Sequence, residues 1–350
     1  QARKCIETLD KRRFDRALLG SGDAFRHIVS LVPLLLHLNH PALPGYVEDA
    51  PAGIADFILS NYQQNFLSKE HPELVEAVQS AVNSDAVFSP ILGIYVMGSF
   101  GSISQTSASD LDIWVCHQDE LSEQDQQRLA EKTKKISQWA STYHVEMHFY
   151  LMTQKRFRNE RYSDPLTKEN SGSAQYMLLL EEFYRSAVRL SGKPLLWLHL
   201  WVEDEKQYEA EVARLVAEGE LNPNDWVDFG GLGQFSASEY FGASLWQLYK
   251  GIDSPYKSVM KILLLETYAQ EYPNAHLIAR QFKEDLLSGR STAVHHFDPY
   301  IAILERISQY LTAHSEFKRL DFVRSCFYVK ATEDFALYHA SNWRISYMKM

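Results

Sequence analysis

The stretch that decides the fold reads YVMGSFGS over residues 95–102 and SDLDIWV over residues 109–115. Its first part closes an apolar run, Ile91–Met97, which predicts a short buried strand. Gly98-Ser99 then interrupts that run, as glycine and serine do where a chain turns. The segment therefore predicts a strand that delivers a Gly-Ser turn to one edge of a sheet.

The second part opens with two acidic side chains and continues as an apolar strand, Leu111–Cys116. Successive side chains of a strand point to opposite faces. Asp110 and Asp112 are therefore expected on one face, while the apolar residues between and after them point into the core.

A third predicted strand, Val145–Leu151, carries Glu146 among apolar residues. If the three strands are neighbours, Asp110, Asp112 and Glu146 converge on one patch. Two carboxylates about 4 Å apart repel by roughly 4 kcal/mol at an effective dielectric of about 20, so such a patch needs neutralisation. Hard oxygen ligands favour Mg²⁺, with Mn²⁺ as a substitute. Two such ions about 4 Å apart are the usual clamp for in-line attack at phosphorus.

Plainer interpretations of the same residues stay open at this point. Asp110 and Asp112 also suit a solvated loop or a helix N-cap, and Glu146 also suits the surface of an edge strand. His144-x-Glu146-x-His148 places three metal-binding side chains on one strand face and is compatible with a zinc site, although no further ligand pattern supports one.

The Gly-Ser turn has the residue types of a phosphate site. Gly98 lets the backbone approach an anion closely. Backbone N–H groups at the start of a following helix bind phosphate oxygens, and Ser99 adds a hydroxyl donor, as Ser102 does with less support. The alternative is that Ser99 is only a turn residue.

Composition and charge narrow the class of protein. The 350 residues are 45% hydrophobic and 23% charged, which is typical of a globular protein. The net charge of −10 argues against a globally basic binder of nucleic acid. Three distant cysteines predict free thiols rather than a disulfide framework. No apolar segment is long enough to span a membrane and no signal peptide is evident, so we expect a cytoplasmic protein.

Longer strings give a resemblance to a known family. Gly98-Ser99, Asp110-x-Asp112 and the third-strand acid resemble the DNA polymerase β-type nucleotidyltransferase superfamily. Three strings closely resemble class I, enterobacterial-type adenylate cyclases: MGSFGSISQTSASDLDIWVCHQ (97–118), SGSAQYMLLLEEFYRSAVRLSGK (171–193) and EYFGASLWQLYKGIDSPYKSVMKILLLE (239–266).

The resemblance implies an α+β fold in three parts. A small mixed β-sheet nucleotidyltransferase core is expected over residues 86–193. An N-terminal helical segment precedes it over residues 1–85, and a larger C-terminal helical domain follows over residues 194–350 and closes the ATP cleft. Within the core, the apolar and aromatic pattern of Gln175–Ser191 predicts one continuous helix.

The resemblance also implies conversion of ATP to cyclic AMP and pyrophosphate. Asp110 and Asp112 would ligate two Mg²⁺ ions, and Glu146 the ion nearest the ribose 3′-hydroxyl. Basic residues of the helical part should close over the triphosphate, with Lys257 as first choice and Lys261 one turn later. The family's C-terminal regulatory region, linked to sugar-phosphotransferase components, is absent from these residues, and no nucleic-acid polymer is expected as a partner.

The motif itself leaves two other functions open. A nucleotidyltransferase that passes a nucleotide to RNA, a small molecule or a protein needs the same metals and the same turn. A catalytically inactive nucleotide-binding module is the third possibility, which the intact set of acids disfavours. The absence of GxxxxGK[ST] from the sequence excludes a P-loop ATPase.

Overall fold

The computed structural model describes residues 2–19, 21–82, 89–106, 109–159, 176–233, 235–289 and 294–332. Along these residues the chain forms a group of helices, then a mixed sheet, then a second group of helices. The α+β fold class predicted from the sequence is therefore confirmed. The positions of the boundaries between the three parts stay a prediction.

The N-terminal helices are α1 (Ala2–Leu19), α2 (Asp23–His37), α3 (Asn61–Glu70) and α4 (Pro72–Val82). The apolar side of α2 is almost fully buried, and Pro33 lies inside the helix without ending it. α3 begins with a reciprocal capping box, in which Ser60 and Gln63 each bind the other's backbone amide. These helices bury one face of the sheet and the turn at its edge.

Four strands form one mixed sheet in the order β3-β2-β1-β4. They are β1 (Ile91–Met97), β2 (Leu111–His117), β3 (Met147–Met152) and β4 (Val188–Gly192). β1 pairs antiparallel with both β2 and β4, whereas β2 and β3 run parallel. The bounds of β1 are those that its apolar run predicts, and all seven of its residues are buried.

The helix predicted over Gln175–Ser191 is wrong in its second half. The described chain forms α7 (Tyr176–Ser186), and β4 (Val188–Gly192) begins two residues after α7 ends; Gln175 lies outside the described residues. β1 is buried on both faces, so its backbone groups need a paired strand on each edge. β4 supplies that second edge, which a local apolar pattern does not reveal.

The two faces of the sheet carry different parts of the core. Ile94 and Ile113 pack with α2 and with α5 (Glu123–Ser141). Tyr95 and Trp114 face α7 and the C-terminal helices, and Trp114 stacks on Phe183 with ring centroids 4.0 Å apart. Asp112 has the strand parity of Trp114, so its side chain belongs to the face that the C-terminal helices cover.

The remaining helices are α6 (Gln154–Asn159), α8 (Tyr208–Ala217), α9 (Ala237–Lys250), α10 (Pro255–Gln270), α11 (Ile278–Ser288), α12 (Pro299–Ala313) and α13 (Phe317–Thr332). α10 packs against α9, α12 and α13 and is the central helix of this part. Over the described ranges, every helix is too short or too polar to cross a bilayer.

Candidate active site

Two aspartates meet where β2 begins. Asp110 is exposed just before the strand, and Asp112 lies opposite Met97 of β1 and His148 of β3. The hydroxyl of Tyr150 donates to Asp112 Oδ1 over 3.3 Å. Burial, and then the negative charge of Asp110, raise the pKa of Asp112 from 3.8 to about 6, against the opposing charges of nearby basic groups. Burial of Asp112 and the nearness of Asp110 therefore disfavour the ionised form of the Asp112 carboxylate.

Glu146 lies one residue before β3 rather than within it. Its carbonyl accepts a hydrogen bond from the Leu111 amide over 3.0 Å, which places it beside the start of β2. Its carboxylate is 71% exposed and lies 3.1 Å from His148 Nε2. Among the described residues, no group of three or more His, Cys, Asp or Glu side chains is close enough to hold a metal ion. The structure thus brings Asp110 and Asp112 together, and the role of Glu146 stays a prediction.

The absence of a three-residue metal-binding group among the described residues also bears on the alternative of a zinc site. Among the described residues, His144, Glu146 and His148 do not form a metal-binding group, although Glu146 and His148 contact each other. His144 has a left-handed backbone, with φ of 60°, in the turn before β3.

The donor chemistry of the aspartate pair suits Mg²⁺. In proteins this ion is commonly bound through one or two carboxylates plus substrate phosphates and water, rather than by an all-protein cage. Asp110 and Asp112 provide such oxygens, and a divalent cation bound there would offset the cost of ionising the buried Asp112 beside Asp110.

The Gly-Ser turn follows β1 directly. Gly98 has a φ of 86°, in the region that favours glycine, and a Cβ there would lie 4.0 Å from Asp112 Oδ2. The turn is therefore next to the aspartates. Ser99 and Ser102 are both buried, and the Ser102 hydroxyl donates to the Ser99 carbonyl over 2.7 Å. Ser102 thus braces the turn in this structure.

Residues 98–106 form turns and no helix, so the expected phosphate site at a helix start is not observed there. Side chains satisfy the backbone locally instead, as is common in Ser- and Thr-rich segments. Most amides of the turn donate within the protein: Gly98 to Ser186 Oγ (3.0 Å), Gly101 to Gln105 Oε1 (2.7 Å), Ser102 to the Ser99 carbonyl (2.9 Å) and Ile103 to Asp298 Oδ2 (2.8 Å). The backbone N–H groups of Ser99 and Phe100, which follow each other in the chain, have no acceptor among the described residues.

Two lysines of α10 contribute positive charge to the site. The phenol group of Tyr300, and then the charges of Asp110 and Asp112, raise the pKa of Lys257 against the effect of burial. Lys257 Nζ lies 5.8 Å from the centroid of the Tyr300 ring. Lys261 also lowers the pKa of Asp112, so both predicted lysines are close enough to act on the aspartates.

Lys261 has a partner that sequence reasoning missed. Its Nζ lies 2.6 Å from Glu182 Oε1, and both side chains are largely buried. Burial raises the pKa of Glu182, but the charges of Lys261 and Arg185 lower it to about 2. The ammonium group of Lys261 is thus paired with a carboxylate whose ionised form is favoured.

Three further residues of the site were also not predicted: Ser186, Tyr150 and Tyr300. Glu182 and Ser186 lie four residues apart on one face of α7, and the Ser186 hydroxyl donates to the Glu182 carbonyl while accepting from the Gly98 amide. That spacing was a detectable signal, but it is common in helices and does not identify the partner. Neither tyrosine belonged to a recognisable motif.

A cavity of about 900 Å³ lies elsewhere, in the C-terminal helical part, where Trp201, Arg280 and Arg306 are among its lining residues. None of the predicted site residues lines it. The edge of the sheet is where the aspartate pair, the Gly-Ser turn and Lys257 lie close together, and it is therefore the candidate active site.

Comparisons with known proteins agree on one family. A family model described as the adenylate cyclase NT domain matches residues 1–198, and one described as the class-I adenylate cyclase second domain matches residues 235–350. The chain is 68% identical to an adenylate cyclase of Haemophilus influenzae, over 100% of the chain and 42% of that protein. It is 45% identical to an adenylate cyclase of Escherichia coli K12, over 97% of the chain and 40% of that protein.

The chain thus spans about two fifths of the length of these relatives. Among solved structures, a spectinomycin adenyltransferase from Enterococcus faecialis with ATP and spectinomycin matches at 15% identity and a TM-score of 0.32. That match covers 77% of this chain and 99% of the other.

Proposed function

The chain belongs to the class-I adenylate cyclase family, and on that premise we propose that its site converts ATP to 3′,5′-cyclic AMP and pyrophosphate. The observation that carries the proposal is the aspartate pair, which lies beside the Gly-Ser turn and close enough to Lys257 for their charges to interact. These are the groups that phosphoryl chemistry needs for metal binding and for holding a triphosphate.

In this proposal Asp110 and Asp112 would hold two Mg²⁺ ions, and Glu146 would be a further ligand. When bound, the ions would supply charge neutralisation for the attacking ribose 3′-oxygen and for the leaving pyrophosphate. Tyr150 donates to Asp112 and so orients its carboxylate. The neighbouring His148 is placed to do the same for Glu146.

The triphosphate would be held by groups that the protein has already ordered. The amides of Ser99 and Phe100, together with the Ser99 hydroxyl, are the donors on the turn, while Lys257 contributes a positive charge from α10. Preorganised donors stabilise developing charge without reorganisation during the reaction. Lys261 adds a second cation, which Glu182 and the phosphate oxygens would share.

The alternative is a nucleotidyltransferase that acts on a separate acceptor, since it needs the same groups. The relatives named adenylate cyclase favour the first function. Purified protein incubated with ATP and Mg²⁺, and with no acceptor, should produce cyclic AMP and pyrophosphate in equal amounts. Asp112→Asn serves as the inactive control. Turnover that appears only when an acceptor is added would favour the alternative.

Regulation belongs to the longer protein in this proposal. ATP is the substrate and no nucleic-acid polymer takes part. Control by a C-terminal region and by sugar-phosphotransferase components follows from the family resemblance and stays a prediction. A cytoplasmic location, expected from the sequence, also stays a prediction.

A further inference from the structure

The N-terminal helix α1 lies directly against the turn that follows β1. Gly101 has a φ of 66°, and a Cβ at this position would come within 2.3 Å of the carbonyl oxygen of Arg13. Two backbones therefore touch at this point with no side chain between them. Helix α1 and the turn form one packed unit, although about 90 residues of sequence separate them.

The side chain of Arg13 connects helix α1 to the turn by hydrogen bonds. It is almost fully buried, at 3% exposure. Nη2 donates to the carbonyls of Phe100 (3.3 Å) and Ser186 (2.8 Å), and Nη1 donates to the carbonyl of Ala187 (3.3 Å). A single guanidinium thus connects α1, the turn and the junction between α7 and β4.

These bonds fix one peptide unit from both sides. The carbonyl of Phe100 and the amide of Gly101 belong to the same planar peptide unit. Arg13 holds the carbonyl, and Gln105 Oε1 holds the amide over 2.7 Å. Gln105 in turn donates to the carbonyl of Ala17 on α1 over 3.2 Å. Rotation of this unit would break contacts to α1 on both sides.

A second arginine of α1 holds the far side of the turn. Arg16 pairs with the buried carboxylate of Asp298, which accepts from the Ile103 amide over 2.8 Å. Asp298 also caps α12, since its Oδ1 accepts from the amides of Tyr300 and Ile301. The contacts to α1 therefore hold the chain just after the Ser99 and Phe100 amides. The hydrogen bond from the Gly98 amide to Ser186 holds the chain just before them.

We propose that Arg13 is a positioning residue, which presets the amides of Ser99 and Phe100 for the β- and γ-phosphates of the nucleotide. The inference rests on the proposed function, because it assigns those amides to a triphosphate. Donors already held in place lower the entropic cost of binding and of charge stabilisation. In this proposal helix α1 has two roles: it packs against the sheet, and through Arg13 it positions the phosphate-binding amides.

The test compares two ligands on the full chain by isothermal titration with Mg²⁺ present: the non-reactive analogue α,β-methylene-ATP, and AMP, which lacks the β- and γ-phosphates. Arg13→Gln should weaken binding of the analogue at least tenfold and leave AMP binding within twofold. Arg13→Lys keeps the charge but not the fork of donors, and should lose at least threefold for the analogue alone. Arg3→Gln, an exposed arginine of the same helix, is the matched control and should change neither.

Equal losses for both ligands would mean a general structural role and would overturn the proposal, as would unchanged binding of the analogue. If Arg13→Gln shows no cooperative thermal unfolding, Arg13→Lys decides by the same criterion. Formation of cyclic AMP by the unmodified chain is measured separately. A chain that binds the analogue but forms no cyclic AMP would refute the proposed function and leave the ratio of affinities interpretable. A chain that does not bind the analogue would refute both.

Discussion

Asp112→Asn should make the protein less active and, above neutral pH, more stable. Its folded pKa is raised from 3.8 to about 6, so the ionised carboxylate is less favourable in the folded state than in the unfolded chain. The stability that the neutral acid contributes is fully present below pH 3.8 and is lost as the pH rises through 6. Asparagine does not ionise and keeps this contribution at every pH.

The size of the effect follows from the same values. At about 1.36 kcal/mol per pH unit, the interval between 3.8 and about 6 corresponds to about 3 kcal/mol. The side chain of Asp112 is partly exposed to solvent, which weakens its electrostatic interactions. We therefore expect a gain of about 1–3 kcal/mol in the free energy of unfolding at pH 8. The gain should vanish near pH 4. Activity should fall at least about 100-fold, since about 3 kcal/mol of charge stabilisation is lost.

Urea unfolding at pH 4, 6 and 8 measures the first effect, and formation of cyclic AMP measures the second. Glu120→Gln, which removes an exposed carboxylate shortly after β2, is the matched control and should change neither by much. The reasoning fails if Asp112→Asn is less stable than the unmodified chain at pH 8, or if its gain is the same at pH 4 and pH 8. Near-normal turnover would remove the proposed metal role.

Three further predictions test the neighbours of this pair. Lys257→Ala should raise the KM for ATP more than Lys257→Arg in steady-state kinetics, because arginine keeps the charge; equal effects would exclude a role for that charge. Tyr150→Phe removes a hydrogen bond to Asp112 and should move the acid limb of the kcat/KM profile to higher pH by up to about one unit, whereas an unchanged profile would contradict the contact. Ser186→Ala leaves a buried amide of the turn without its acceptor, and should lower the free energy of unfolding by about 1–3 kcal/mol in urea. Ser244→Ala, whose hydroxyl donates to the Tyr240 carbonyl within α9, is its control and should lose less.

Features encoded within a few residues could be predicted from the sequence. The bounds of β1 follow from one apolar run, and the position of Asp112 at the start of β2 follows from the apolar strand that it opens. β4 escaped prediction because Val188–Gly192 continues the apolar pattern of α7, and the partner that makes it a strand lies far away in β1. Local periodicity contains no information about which edge of a sheet needs pairing.

The missed parts of the site have a similar cause. Glu182 and Ser186 are ordinary residues of a helix until Lys261 and the Gly98 amide are brought to them. The turn was expected to present amides from a helix, but hydrogen bonds from several distant segments decide which of its amides stay available. Residue type supports a prediction of the chemistry of the site, and tertiary contacts determine which atoms lie close enough to take part in it.

Both lysines of the site project from α10, a helix whose position is set by its packing against α9, α12 and α13. The helix is stiff, so a shortened side chain on its buried face, as in Met260→Ala, would displace the two ammonium groups together. A genetic screen for inactive variants should therefore recover core positions of the helical part as often as acidic positions of the sheet. Such variants would resemble active-site mutants in an assay while their defect lies in packing.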